Sequence, residues 1–163
     1  MGSNPIDRGV QLMTDTFPIG TELDEFPLPV ESSKVREFAI ALLDDDPIYQ
    51  DVGAARAAGF DDIPAPLTFA AASSHFRHDL LMFERLDMDL RRVLHGESSW
   101  EYLTPVTVGE RLLARRRLAD VAMRPGKRGG DMTLYTFETE FVNDRGDTVL
   151  RQRDVVIETG GAK

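Results

Sequence analysis

Between Thr133 and Val142, Tyr135, Phe137 and Phe141 fall on one face of an extended chain and Glu138 and Glu140 on the other. This is the period of two that a half-buried sheet imposes. Ser98 to Leu103, Arg111 to Val121 and Thr148 to Ile157 carry the same kind of strand signal. The last three of these four stretches are separated by Arg124-Pro125-Gly126 and Asn143-Asp144-Arg145-Gly146, which read as hairpin turns. From about Val93 the chain therefore predicts an antiparallel meander.

Helical patterns come first, which gives an α+β order. Ser32 or Ser33 is placed to cap a helix whose apolar residues Val35, Phe38, Ala39, Leu42 and Leu43 lie at i, i+3, i+4, i+7 and i+8. Asp44-Asp45-Asp46 and then Pro47 end it. A short helix near Ala54 to Ala58 stops at Gly59. After Ile63-Pro64-Ala65-Pro66, the segment Leu67 to Arg85 contains no Gly or Pro and has small residues from Ala70 to Ser74. It predicts one continuous helix lying against the strands; a break at Ser73-Ser74, or this segment on the outside of the sheet, would remove the fold that the resemblance below implies. Residues 1–20 read as a mobile lead-in, with an extended segment through Phe26 to Val30; residues 21–158 read as a single domain and residues 159–163 as a tail.

At 163 residues the chain can bury a core without staples. Its formal net charge of -9 opposes a nucleic-acid partner. No stretch approaches the roughly 18 to 20 apolar residues of a membrane span, so a cytoplasmic protein without membrane contact is expected. There is no cysteine, which removes thiolate nucleophiles and zinc-thiolate sites. His75 and His78 have a spacing that suits a metal, but no third ligand is evident nearby, and neither metal nor cofactor is expected.

Three short motifs, Val35 to Ala39 with Leu43 to Tyr49, Ala57-Ala58-Gly59-Phe60, and Ala65 to Phe69, resemble the MaoC-like (R)-specific hydratase and dehydratase family. The resemblance is strongest to its subgroup with a FAS1-like dehydratase N-terminal domain, which includes small subunits of (R)-3-hydroxyacyl-ACP dehydratases. His95-Gly96-Glu97, Trp100-Glu101-Tyr102, Pro105-Val106, Val108-Gly109-Glu110 and Leu112 extend the likeness. It implies a hot-dog fold, an antiparallel sheet wrapped around the Leu67 to Arg85 helix. It also implies pairing with a second copy or with a related MaoC-like chain, and an acyl thioester of CoA or of an acyl carrier protein as substrate. The family's loop, Gly-Asp-x-Asn-Pro-φ-His with φ apolar, uses its Asp and His to activate water at an enoyl thioester.

On that likeness Asp44 stands at the catalytic Asp, Asp46 at the Asn, Pro47 at the Pro, and Tyr49 replaces the His, while Leu43 replaces the Gly. A phenol is a poor general base near neutral pH. His95 is the remaining candidate imidazole. Pro66, Leu67 and Thr68 precede the expected helix, whose first N–H groups are placed to receive a thioester carbonyl. The bland alternatives are a solvated acidic turn for Asp44 to Asp46, a packed aromatic for Tyr49 and a local cap for Thr68. Arg115 to Arg117 read mainly as a solvated strand face, with a basic rim for CoA or phosphopantetheine phosphates as the alternative. The expected function is (R)-specific addition or removal of water at a trans-2-enoyl thioester, with this chain as a subunit lacking the catalytic His. Two alternatives stand beside it: a non-catalytic acyl-thioester or polyketide-intermediate binding module, and a self-sufficient homodimeric hydratase.

Overall fold

A computed structural model describes residue 10, residues 17–126 and residues 130–160. Most of the expected lead-in and part of the tail fall outside them. Five strands, β1 (Glu22–Pro29), β2 (Val93–Tyr102), β3 (Arg111–Pro125), β4 (Asp131–Val142) and β5 (Thr148–Glu158), form one antiparallel sheet in the order β1-β3-β4-β5-β2. The last three strands make the expected meander. β2 crosses to the far edge and pairs with β5 instead of β3. The Asn143 turn is built as the sequence predicts: its carboxamide oxygen accepts from the N–H groups of Arg145 and Asp147, both at 3.0 Å, and Gly146 takes a φ of 87° that favours glycine.

The first helix, α1 (Ser32–Ala41), buries Val35 and Ala39, and its N-cap is Glu31, without a side-chain cap, instead of either serine. Leu42 and Leu43 lie beyond the helix and are exposed, Leu43 at 92%. The N–H of Asp44 reaches Ala39 O and that of Leu43 reaches Ile40 O, both at 3.0 Å, the paired bonds of a Schellman termination. Leu43 occupies the left-handed position of that motif with φ 59°. A β-carbon there costs about 1 kcal/mol, and an exposed Leu43 has no packing to offset it. Leu43→Gly is therefore expected to raise the unfolding free energy by about 1 kcal/mol, checked by urea denaturation. The second helix, α2 (Val52–Ala57), is capped by Asp51, whose carboxylate accepts from Ala54 N at 2.7 Å, and ends before Gly59 at φ 95°.

The expected continuous helix from Leu67 to Arg85 is not formed. Phe69–His75 is a 3₁₀ helix, residues 76–78 are irregular, and α3 (Asp79–Arg85) follows. The cause is tertiary. Phe69, Ala70 and Ala72 belong to one apolar cluster, with Phe26, Leu28 and Phe141 of the sheet, whereas Met82 and Leu86 belong to a second, with Leu118, Tyr135 and Phe137. Between the clusters the sheet presents Arg116, and Asp79 reaches it at 2.7 Å. The two halves pack on separate apolar beds, with charge between them. Among the described residues no helix is long and apolar enough to cross a membrane.

Candidate functional site

The loop after α1 uses its carboxylates as local caps. Asp44 Oδ1 accepts from Asp46 N at 3.2 Å, and Asp46 Oδ1 accepts from Ile48 N at 3.0 Å, starting the 3₁₀ turn Pro47–Tyr49. These are the short-range side-chain bonds that Asp makes in turns. The turn delivers Tyr49 into a cavity of about 290 Å³ shared with Leu67, Phe60, Tyr102 and Val106. A bridge between Pro64 and Thr107, with Ala65 N bonded to Val106 O at 2.8 Å, carries Leu67 to the same place. There Tyr102 donates its hydroxyl to Leu67 O at 2.7 Å. Pro66 is buried, Thr68 is half-buried, and Leu67 is 70% exposed. The expected open helix start is absent: Phe69 N is already bonded to Pro66 O at 2.8 Å and Ala71 N to Thr68 O at 3.0 Å, within a seven-residue 3₁₀ segment.

The phenols here hold their protons. Burial, then the charges of Asp44 and Asp46, raise Tyr49. Burial, then Tyr49, pushes Tyr102 up to about 12. Tyr135, the third and last tyrosine, is also raised, by burial and by Glu158 and Asp87. For a raised acid the fold favours the neutral form. Its contribution to stability is complete below the unfolded value near 10 and is lost as pH rises through the folded value, about 12 for Tyr102. An ultraviolet titration is expected to show almost no phenolate until above pH ~10, with alkaline unfolding accompanying it. A tyrosinate appearing near neutral pH would mean that one phenol is set up as a base.

His95 is elsewhere. In a regular strand, residues 95 and 98 point to opposite faces, but the register between β2 and β5 shifts at His95/Glu97, leaving Gly96 as an extra residue. A β-carbon at Gly96 would lie 2.9 Å from Val155 O, so only glycine fits the bulge. The bulge turns His95 to the same face as Ser98, and His95 Nε2 lies 2.9 Å from Ser98 Oγ. Ser98 in turn donates to Asp154 Oδ1 in a short bond. The single hydroxyl proton of Ser98 goes to Asp154, so Nε2 of His95 is the donor of its bond. These residues line a second cavity, of about 420 Å³, with Arg77, Trp100, Arg116 and Gln152.

The structure thus brings Asp44, Asp46, Tyr49 and Leu67 to one region and sets His95 apart, since the two cavities share no lining residue. Tyr102, Ser98, Gln152 and Asp154 were not singled out from sequence as site residues. Arg116, read with Arg115 and Arg117 as a solvated face or a basic rim, is instead 3% exposed, while its two neighbours are exposed as expected. Its signal was available: Leu112, Ala114, Arg116 and Leu118 share one parity. His75 and His78 are exposed, and among the described residues no group of three or more His, Asp or Glu side chains is placed to hold a metal ion.

Residues 18–152 match the family described as FAS1-like, dehydratase domain region. A UPF0336 protein of Saccharopolyspora erythraea is 32% identical over 147 residues, covering 89% of this chain and 91% of the relative. The HadBC (3R-hydroxyacyl-ACP dehydratase) complex from Mycobacterium tuberculosis superposes with a TM-score of 0.70 at 24% identity, over 83% of this chain and 95% of that one. The ChsH1-ChsH2 complex of the same organism gives 0.75 at 18% identity, over 96% and 97%. This five-stranded sheet with its helices is a hot-dog fold.

Proposed function

The chain belongs to the FAS1-like dehydratase domain family, and from that premise we propose that it is one subunit of an acyl-thioester hydro-lyase. It binds the acyl thioester, and a partner hot-dog chain supplies the acid–base pair for (R)-specific addition or removal of water at a trans-2-enoyl thioester. The observation that carries this reading is the Tyr49 cavity. At the position where the family resemblance calls for an imidazole there is a phenol held above its ordinary value, beside a second one at about 12. Neither is a base at neutral pH. What remains is a mostly apolar pocket with a few polar groups at its wall, the composition of a ligand site.

Two of the similar structures are complexes of paired chains by name, HadBC and ChsH1-ChsH2, which supports a paired arrangement here. Asp44 and Asp46 serve the loop, and Tyr49, Leu67 and Tyr102 face the substrate. The test is co-purification to find the partner, followed by crotonyl-CoA hydration with each chain alone and with both. A second reading, a self-sufficient hydratase, draws on the His95–Ser98–Asp154 chain. Loss of single-chain activity in His95→Ala would select it.

A further inference from the structure

The inner face of the sheet is apolar at both ends and polar across its middle. Register aligns Asp24, Arg116, Thr139, Gln152 and Trp100 in one row over all five strands. Ser98 and Asp154 stand in the next row, beside Phe137. The irregular residues 76–78 lie over this belt, with Arg77 3.8 Å from Asp154 and 3.4 Å from Asp79. Five buried polar atoms here have no hydrogen-bond partner among the described residues: Ser73 Oγ, Arg77 Nε, Trp100 Nε1, Thr139 Oγ1 and Gln152 Oε1. Ser73, Thr139 and Gln152 are 0%, 1% and 4% exposed. Folded proteins leave few such atoms unsatisfied, and a cluster of them calls for an occupant.

Gln152 is held in one orientation. Its Nε2 donates to both oxygens of Asp154, at 3.0 and 2.9 Å, because a flipped amide would set oxygen against carboxylate. Its Oε1 is left without a donor among the described residues. Arg77, Trp100 and Gln152 line the cavity of about 420 Å³ whose other walls include Met82, Phe83 and Val93. That space is many times the ~30 Å³ of a water molecule.

The charges select the ligand. A carboxylate would meet Asp79 and Asp154, and an ammonium would meet Arg77 and Arg116. We propose that this cavity binds a neutral hydroxyl group at the end of a short apolar chain, the hydroxyl donating to Gln152 Oε1 and accepting from Trp100 Nε1 or Arg77 Nε. Taking that chain as the 3-hydroxyacyl end of a thioester rests on the proposed hydro-lyase function; the recognition of a hydroxyl does not.

Trp100 is the single tryptophan, so one indole N–H cross-peak in a ¹H–¹⁵N spectrum of the full chain reports on the cavity. The probes are (R)-3-hydroxybutanamide against butanamide, and the N-acetylcysteamine thioesters of (R)-3-hydroxyhexanoate against hexanoate. The hydroxylated member of a pair is expected to move the indole peak and to bind about tenfold more tightly than its deoxy analogue, the effect of one buried hydrogen bond made or left unmade. In Gln152→Met that discrimination is expected to vanish. Equal binding of both members, or an indole peak that no probe moves, overturns the proposal on the wild-type chain alone, whether or not the variant folds. If the hydroxyamide moves the peak and the thioester does not, the hydroxyl site stands and its identification with the 3-hydroxyacyl end of a thioester falls. If the partnered protein hydrates crotonyl-CoA while the indole stays unmoved, the hydro-lyase reading stands and the hydroxyl site falls.

Discussion

Joined to a hot-dog partner that carries an intact Asp and His loop, the chain is expected to hydrate enoyl thioesters about 10² to 10⁴ times faster than it does alone, the usual contribution of a positioned general acid or base. The difference turns on Tyr49. Burial and the neighbouring carboxylates of Asp44 and Asp46 raise its phenol, so at neutral pH it stays protonated and cannot take up a proton as an imidazole does. Tyr49→Phe is accordingly expected to leave the rate of the complex within a few-fold, whereas changing the partner's loop His to Ala removes it. Steady-state hydration of crotonyl-CoA, followed by loss of enoyl absorbance, measures both. The opposite pattern is robust activity of this chain alone, falling with Asp44→Asn or His95→Ala. It would place the chemistry on this chain and end the partner reading.

The strands were legible because each long stretch alternates in step with the sheet: Tyr135, Phe137 and Phe141 are buried as that alternation requires. Alternation also held the clue to Arg116, which has the parity of Ala114 and Leu118, but a run of three arginines reads more readily as a solvated face. The helix break left no mark of Gly or Pro. It comes from where Arg116 and Asp154 sit in the sheet, and pairings that join residues 24, 116, 139, 152 and 100 have no local signature. The proximity of His95 and Ser98 was hidden for a narrower reason. It depends on a one-residue bulge at Gly96, and a period-two reading through that point puts the two side chains on opposite faces. The acidic run at Asp44 marked the exit from the first helix, which ends earlier, at Ala41, while its companions Leu67 and Tyr102 come from segments that meet only once Ala65 pairs with Val106.

Asp24→Ala is expected to be the most damaging single change of a charged side chain in the sheet, lowering the unfolding free energy by about 3 to 5 kcal/mol. Arg116 is 3% exposed and gives two hydrogen bonds to Asp24, Nε to Oδ1 at 2.8 Å and an Nη to Oδ2 at 2.5 Å. Burial opposes its charge, and the bonds to Asp24 and Asp79 more than offset that. Removing Asp24 strands a desolvated guanidinium with, among the described residues, the partly exposed Asp79 as its one remaining ion-pair partner. One residue along, Glu25 points to the opposite face and pairs with Arg115 at 2.8 Å, with both side chains more than half exposed. Water and salt screen such a pair, so Glu25→Ala is expected to cost no more than about 1 kcal/mol. Thermal unfolding separates the two: a fall of roughly 10 °C or more for Asp24→Ala against about 2 °C for Glu25→Ala. Similar losses in the two variants would mean that Arg116 is not held as a buried ion pair. The polar belt would then be open to solvent, and its unpartnered atoms would be satisfied by water.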